Sequence, residues 1–343
     1  MTNTNRNIAL FSILTLSLVL LLLLNISLGS VSIPIQNVFN SLTGGNAGKE
    51  TWNYIIVNYR LPKAIAAILV GMGLAVSGLL MQTLFRNPLA GPDVLGLSSG
   101  ASLGVATIIL GAGFLPPFLA SFLLSSYGII LASSLGSFLV LLAVLAVSQR
   151  LRDTMAILIV GLMFGSLTSA IVGTLTYFSS AEQLQKFTFW SLGNLGNLSW
   201  SSIVILSVCV VMGLLLSLVS IKPLNALLLG ENYARSLGMN YKRTRLIIIL
   251  ATSILAGSIT AFAGPIAFIG LAVPHIAKLL FQTSNHSVLF WRTLLLGAII
   301  MLICDNISQL PGSDVTLPIN AVTSIFGAPI VIWLLIRKRK MMN

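Results

Sequence analysis

Glu231 and Arg235 stand four residues apart in the run LLLGENYARSLGMNYKRTR, residues 227–245. On a helix, an acid four residues N-terminal to a base pairs with it on one face, in the better of the two orientations. Gly230 and Gly238 bracket the pair, and Gly238 suits a C-terminal helix stop. The preceding Pro223-Leu-Asn-Ala-Leu-Leu-Leu reads as a further short helix. Residues 221–244 are therefore expected to form two short helices with a glycine bend between them. Leu228, Leu229 and Leu237 would then be exposed unless a membrane or a partner covers them. That pattern describes a docking knob rather than a reaction centre.

Other groups able to do chemistry are few. Asp305 lies inside an apolar run and His275 follows Pro274 near the end of another. A mid-bilayer carboxylate costs about 2.5–3.5 kcal/mol on insertion scales. Two readings of Asp305 stand: a proton or cation relay, or a carboxylate satisfied by Asn306 or a neighbouring helix. His275 has no second His or Cys at ligand spacing, so packing is its plainer role. The stretch TGGNAGKET resembles a phosphate loop but fails that pattern twice: Thr43 stands where the first Gly belongs, and Glu50 replaces Ser or Thr. Cys209 and Cys304 both sit in apolar runs and form no CxxC or Cys/His pattern. No metal site, resident cofactor or nucleotide-hydrolysing site is expected in this chain.

The elements that must position these residues are membrane spans. Of 343 residues, 56% are hydrophobic and 8% charged. Such a chain cannot hide its apolar surface in water. The apolar runs are continuous rather than alternating, which selects helices over a β-barrel. The chain is read as a single transmembrane domain over residues 1–343, all-α and polytopic. Its ten predicted spans cover residues 8–29, 62–84, 94–112, 118–147, 155–178, 201–220, 245–263, 266–281, 293–307 and 317–336. The N-terminal run is too long for a signal peptide and no clear cleavage site follows it, so it is counted as a retained helix.

Ten spans put both termini on one side. With the termini cytoplasmic, the inside segments hold Arg6, Arg86, Arg150, Arg152, Lys222, Arg235, Lys242, Arg243, Arg245, Lys278, Arg292, Arg337, Lys338, Arg339 and Lys340. The outside segments hold only Lys49, Arg60, Lys63 and Lys186. Fifteen against four is a strong positive-inside bias. It accounts for most of the net charge of +12 without any nucleic acid. Ala90-Gly91-Pro92 and Ala263-Gly264-Pro265 fall on loops of opposite faces. That is the arrangement an inverted repeat of spans 2–5 and 7–10 would give, and chance in Gly-rich helices would give it too.

Three long motifs then carry a family resemblance. They are YRLPKAIAAILVGMGLAVSGLLMQTLFRNPLAGPDVLGLSSGASLG, the run LLLGENYARSLGMN with the later AGPIAFIGLAVPHIAKLL, and LPINAVTSIFGAPIVIWLL. Taken in order, they make the chain resemble the permease subunits of bacterial ABC importers for iron–siderophores, haem and vitamin B12. The resemblance implies the type II importer permease fold of about ten helices. It implies a dimer with a second copy or a paralogue, and alternating access across the bacterial cytoplasmic membrane. Two ATPase subunits, which carry ATP and Mg, would bind the cytoplasmic face, and a substrate-binding protein the outer face. Segment 221–244 becomes the ATPase-coupling loop, on matching positions Leu229, Gly230, Glu231, Ala234, Arg235, Leu237 and Gly238. Arg60 and Lys63 match the basic pair that meets acidic residues of the binding protein, and a third basic position falls on Gln309. The resemblance puts spans 155–178 and 317–336 beside the channel, with Thr176, Tyr177 and Phe178 near a gate. The rival reading is an ion-gradient-coupled secondary transporter, for which Asp305 would be the relay. A membrane-embedded enzyme is disfavoured by the lack of clustered His, Asp, Glu or Cys.

Overall fold

The computed structural model describes residues 3–45, 48–114, 116, 120, 122–150, 154–309 and 315–340. Among these residues every regular element is helical. The order is α1 (Asn3–Ser27), α2 (Ile35–Leu42), α3 (Glu50–Ile55), α4 (Leu61–Leu84), α5 (Leu97–Ile109), α6 (Ser126–Arg150), α7 (Thr154–Tyr177) and α8 (Ala181–Ser191). There follow α9 (Trp200–Val219), α10 (Ile221–Leu228), α11 (Glu231–Ser236), α12 (Tyr241–Ala263), α13 (Ile269–Phe281), α14 (His286–Ser308) and α15 (Ile319–Lys340).

Each of the ten predicted spans falls on one of these helices. Seven described helices are long and apolar enough to cross a membrane, and α5, α13 and α15 supply shorter apolar segments. The fourth span was expected from residue 118, but the described helix begins at Ser126, and residues 118, 119 and 121 lie outside the described set. The ninth begins seven residues before the expected 293, at His286, where the Asn285 side chain caps it by accepting from Ser287 N at 2.9 Å. Arg292 hid this turn from a hydropathy reading. It is accommodated by stacking 4.1 Å over the Phe281 ring. The short helices α2, α3 and α8 were not expected. Helix α8 starts at a capping box in which Ser180 and Gln183 satisfy each other's backbone N–H.

The chain forms two compact units interleaved in sequence. One comprises Met1–Leu79, Asn194–Val208 and Ile266–Asn343. In it α1 packs along α14, and α14 packs on α13 and α15. A Cβ added at Gly71 of α4 would overlap the carbonyl of Gly297 in α14, so only glycine lets these backbones approach. The C-terminal end of α1 closes over Ile26, Ile33, Val38, Ile56 and Ala64, all fully buried. The other unit comprises Leu80–Gly193 and Cys209–Pro265. Here α5 lies against α6, α7 and α12. Gly100 and Gly136 meet backbone to backbone at the α5–α6 crossing.

Helix lengths repeat along the chain. Helices α4 to α7 have 24, 13, 25 and 24 residues, and α12 to α15 have 23, 13, 23 and 22. Both Ala-Gly-Pro corners lead, within four residues of the proline, to a left-handed residue at the N-cap of a 13-residue helix. That residue is Gly96 (φ 75°) before α5 and Phe268 (φ 67°) before α13. A shared length order and a shared left-handed corner support duplication over chance.

Candidate functional site

The charged run forms the hairpin its glycines imply. Gly230 joins α10 to α11 at φ 119°, a conformation open to glycine and strained for other residues. Gly238 ends α11 at φ 83°. Gly238 N donates to Arg235 O at 2.9 Å and Met239 N to Ala234 O at 3.1 Å, the paired bonds of a Schellman stop. Glu231 and Arg235 pair at 2.5 Å on the exposed side. Leu224, Leu227 and Ala234 are buried beneath the hairpin. Leu228, Leu229 and Leu237 are exposed at 49%, 65% and 62%, joined by Tyr233. An apolar rim on a fixed base is what a docking knob requires.

Two supports of this knob carried no sequence signal. Arg86, in the turn after α4, donates from Nη2 to the Leu227 carbonyl at 3.1 Å. It holds a left-handed backbone, φ 47°, to do so. Tyr241, at the start of α12, has the Arg235 guanidinium 5.3 Å and the Arg245 guanidinium 5.9 Å from its ring centroid.

In the other unit, the basic pair sits where α3 runs into α4. Residues Ile56–Arg60 form a π-type turn within one continuous helix, Glu50–Leu84. Such a turn widens the ladder and frees carbonyls. Trp200 Nε1 donates to one of them, Val57 O, at 3.1 Å. The turn swings Arg60 inward. Its Nη1 donates to Ile26 O and Ser27 O, each at 2.8 Å, and its Nη2 to Val31 O. A cation on the last carbonyls of α1 satisfies groups the helix leaves open and complements its dipole. Gly29 lies against the guanidinium, and a Cβ there would stand 2.7 Å from Nη2.

Lys63, one turn later, forms an ion pair with Asp305 of α14, Nζ to Oδ1 3.1 Å. The other carboxylate oxygen accepts from Asn25 Nδ2 at 2.8 Å and Gln309 Nε2 at 3.0 Å. The Ser308 hydroxyl lies 3.4 Å from Oδ1. Asp305 is 1% exposed. Of the two readings left open for it, satisfaction by neighbours is the one observed, and the chief neighbour is Lys63.

Arg60 is 9% exposed and committed to carbonyls, and Lys63 is 19% exposed and paired. Both nevertheless line a cavity of about 260 Å³, with Tyr59, Gly196, Gln309 and Thr316 among its walls.

Thr176 and Tyr177 end α7, and Phe178 follows it. Thr176 Oγ1 donates to Val172 O at 2.8 Å within its own helix. The Tyr177 and Phe178 rings meet edge to face at 5.1 Å, exposed at 83% and 72%. Another unexpected contributor is Asn320, in the LPIN segment, whose Oδ1 accepts from Ala267 N at 3.1 Å. It thereby closes a backbone donor in the non-helical corner before α13.

Comparison with known proteins places these features in context. The model of the FecCD transport family matches residues 17–337. The hemin transport system permease HmuU of Yersinia pestis is 35% identical over 315 residues, 92% of this chain and 91% of that protein. The vitamin B12 import system permease BtuC of Citrobacter koseri is 36% identical over 282 residues, 82% of each. An inward-facing metal-chelate type ABC transporter superposes with a TM-score of 0.80 at 29% identity, covering 94% of this chain and 97% of that one.

Proposed function

This chain belongs to the FecCD transport family, and we propose that it carries a metal chelate of the iron–siderophore, haem or cobalamin class inward across the bacterial cytoplasmic membrane, driven by ATP hydrolysed on partner subunits. It is a multi-span permease subunit of an ABC importer. In the proposed arrangement both termini are cytoplasmic and two copies, or this chain and a paralogue, form the pore. Two ATPases, loaded with ATP and Mg, seat on the α10–α11 hairpins. A binding protein delivers the chelate at the opposite face.

The observation that carries this reading is the hairpin. Its Schellman stop, buried base and Arg86 brace make it stiff enough to pass a displacement on, while its leucine rim and Glu231–Arg235 pair face outward for contact. Closure of the ATPase pair would push the hairpin. The push would reach α12 through Tyr241, and α4 through the turn at Arg86. Binding energy and ATP chemistry then bias two packed arrangements of the same helices. At the outer face Arg60 and Lys63 meet an acidic partner from within their cavity, rather than as free surface charges. Tyr177 and Phe178, exposed at the end of α7, are assigned to the gate.

Reconstitution tests it. The permease, its ATPase and its binding protein in vesicles should accumulate iron–siderophore, haem or cobalamin only with ATP. Uptake by the permease alone, driven by an ion gradient, would overturn the proposal in favour of a secondary carrier.

A further inference from the structure

We propose that Asp305 is a positioning residue that withholds the Lys63 ammonium from the docking cavity and so sets the charge a partner meets there. The consequence for a partner rests on the docking reading above, whereas the restraint itself is independent of that reading.

Three helices contribute to the restraint. Asn25 comes from α1, Lys63 from α4, and Asp305 and Ser308 from α14, and Gln309 is the residue that caps the end of α14. The carboxylate is saturated: Oδ1 faces Lys63 at 3.1 Å and Oδ2 accepts two amide N–H groups. A buried carboxylate with one cation and several donors is fixed in place, because loss of the cation leaves an uncompensated charge in low dielectric. Lys63 has a long flexible stem and three donors, and unrestrained it would extend into water. Here it stays at 19% exposure on the cavity wall.

Two cations line the cavity, Arg60 and Lys63. Arg60 spends its N–H groups on neutral carbonyls and keeps its full charge. Lys63 is neutralised by Asp305 at close range. An incoming acidic group therefore meets one net positive charge instead of two. Gln309, neutral and bonded to the same carboxylate, adds none. Asp305 thus acts as an internal competitor for the acid a partner would bring.

The test uses the full-length permease with its ATPase subunits in nanodiscs. An amine-acylating reagent is applied briefly and modification at each lysine is read by mass spectrometry. In the unaltered protein Lys63 should react more slowly than Lys49 and Lys186. Asp305→Asn keeps the volume and the amide contacts but removes the charge, and should raise Lys63 modification about fivefold or more, with the other two lysines unchanged. Asp305→Glu restores a carboxylate and should bring the rate back toward the starting value. Lys63 reacting as fast as Lys49 before any substitution, or no acceleration in Asp305→Asn, overturns the proposal. Capture of the purified binding protein is the second readout. Asp305→Asn should accelerate association about three- to tenfold at low salt, and the gain should vanish near 0.5 M salt. Faster acylation with unchanged capture would leave the restraint standing and remove the docking reading instead.

Discussion

Arg86 ties the turn after α4 to the end of α10, its Nη2 donating to the Leu227 carbonyl at 3.1 Å. The bond crosses from one end of a membrane helix to the hairpin assigned to the ATPase. Arg86→Ala should cost about 0.5–1.5 kcal/mol of hairpin order, the worth of one such bond. Substrate-stimulated ATPase should fall severalfold while assembly persists. Arg86→Gly is the sharper variant, since glycine relieves the φ of 47° yet supplies no donor. Full coupling in Arg86→Gly would show that the bond is not used.

Glu231→Ala and Arg235→Ala should separate stability from coupling. The pair is largely solvent-exposed, and such i,i+4 pairs contribute about 0.3–0.5 kcal/mol. Thermal midpoints should barely move, whereas stimulated ATPase and co-purification of the ATPase should drop. Leu229→Asp or Leu237→Asp should act more severely, by placing a charge in an apolar contact. Intact coupling in all four would remove the hairpin's docking role.

Arg60 is expected to behave as a structural cation first. Its truncation strips three carbonyls of a buried donor, a loss of about 2–4 kcal/mol. Arg60→Ala should therefore lower the thermal midpoint in detergent, and Arg60→Glu should accumulate poorly because a carboxylate would face those oxygens. Arg60→Lys should recover part of the loss. An unchanged midpoint accompanied by weakened binding-protein capture would make docking, not structure, the role of Arg60.

The glycine crossings offer a packing test. Gly136→Ala puts a methyl into the Gly100 carbonyl at the α5–α6 contact. Overpacking of this kind costs about 1–3 kcal/mol. Yield of folded protein should fall, and more so for Gly136→Val. Gly173→Ala, with open space around it, serves as the control and should be neutral.

Most of the spans were legible because uninterrupted apolar runs have one economical explanation in lipid. The hairpin was legible for a different reason: Gly230 and Gly238 are local signals, and Glu231 and Arg235 announce their own pairing. Long-range pairing was invisible. Nothing near Lys63 in sequence indicates Asp305, and nothing near Arg60 indicates the end of α1. The π-type turn at Ile56–Arg60 compounds this, since it rotates basic residues away from the face that regular helix periodicity assigns them. Helices α2, α3 and α8 escaped because each is short and mixed in polarity, so their order comes from neighbours rather than propensity. Tyr241 and Asn320 were passed over because one aromatic or amide among many carries no pattern until its contacts are known.

Helices α5 and α13, at 13 residues each, reach only about 20 Å, some 10 Å less than a hydrocarbon layer of about 30 Å. The Ala-Gly-Pro corners that precede them lack a regular α-helical ladder: one is bonded through a 3-10 turn, with Val94 N donating to Gly91 O and Gly96 N to Asp93 O, and in the other Asn320 supplies a side-chain acceptor for Ala267 N. At the second corner the backbone thus depends on a side chain instead of a regular helical ladder. Asn320→Leu leaves that backbone donor without its acceptor and should register as proton or ion leak before it registers as lost uptake.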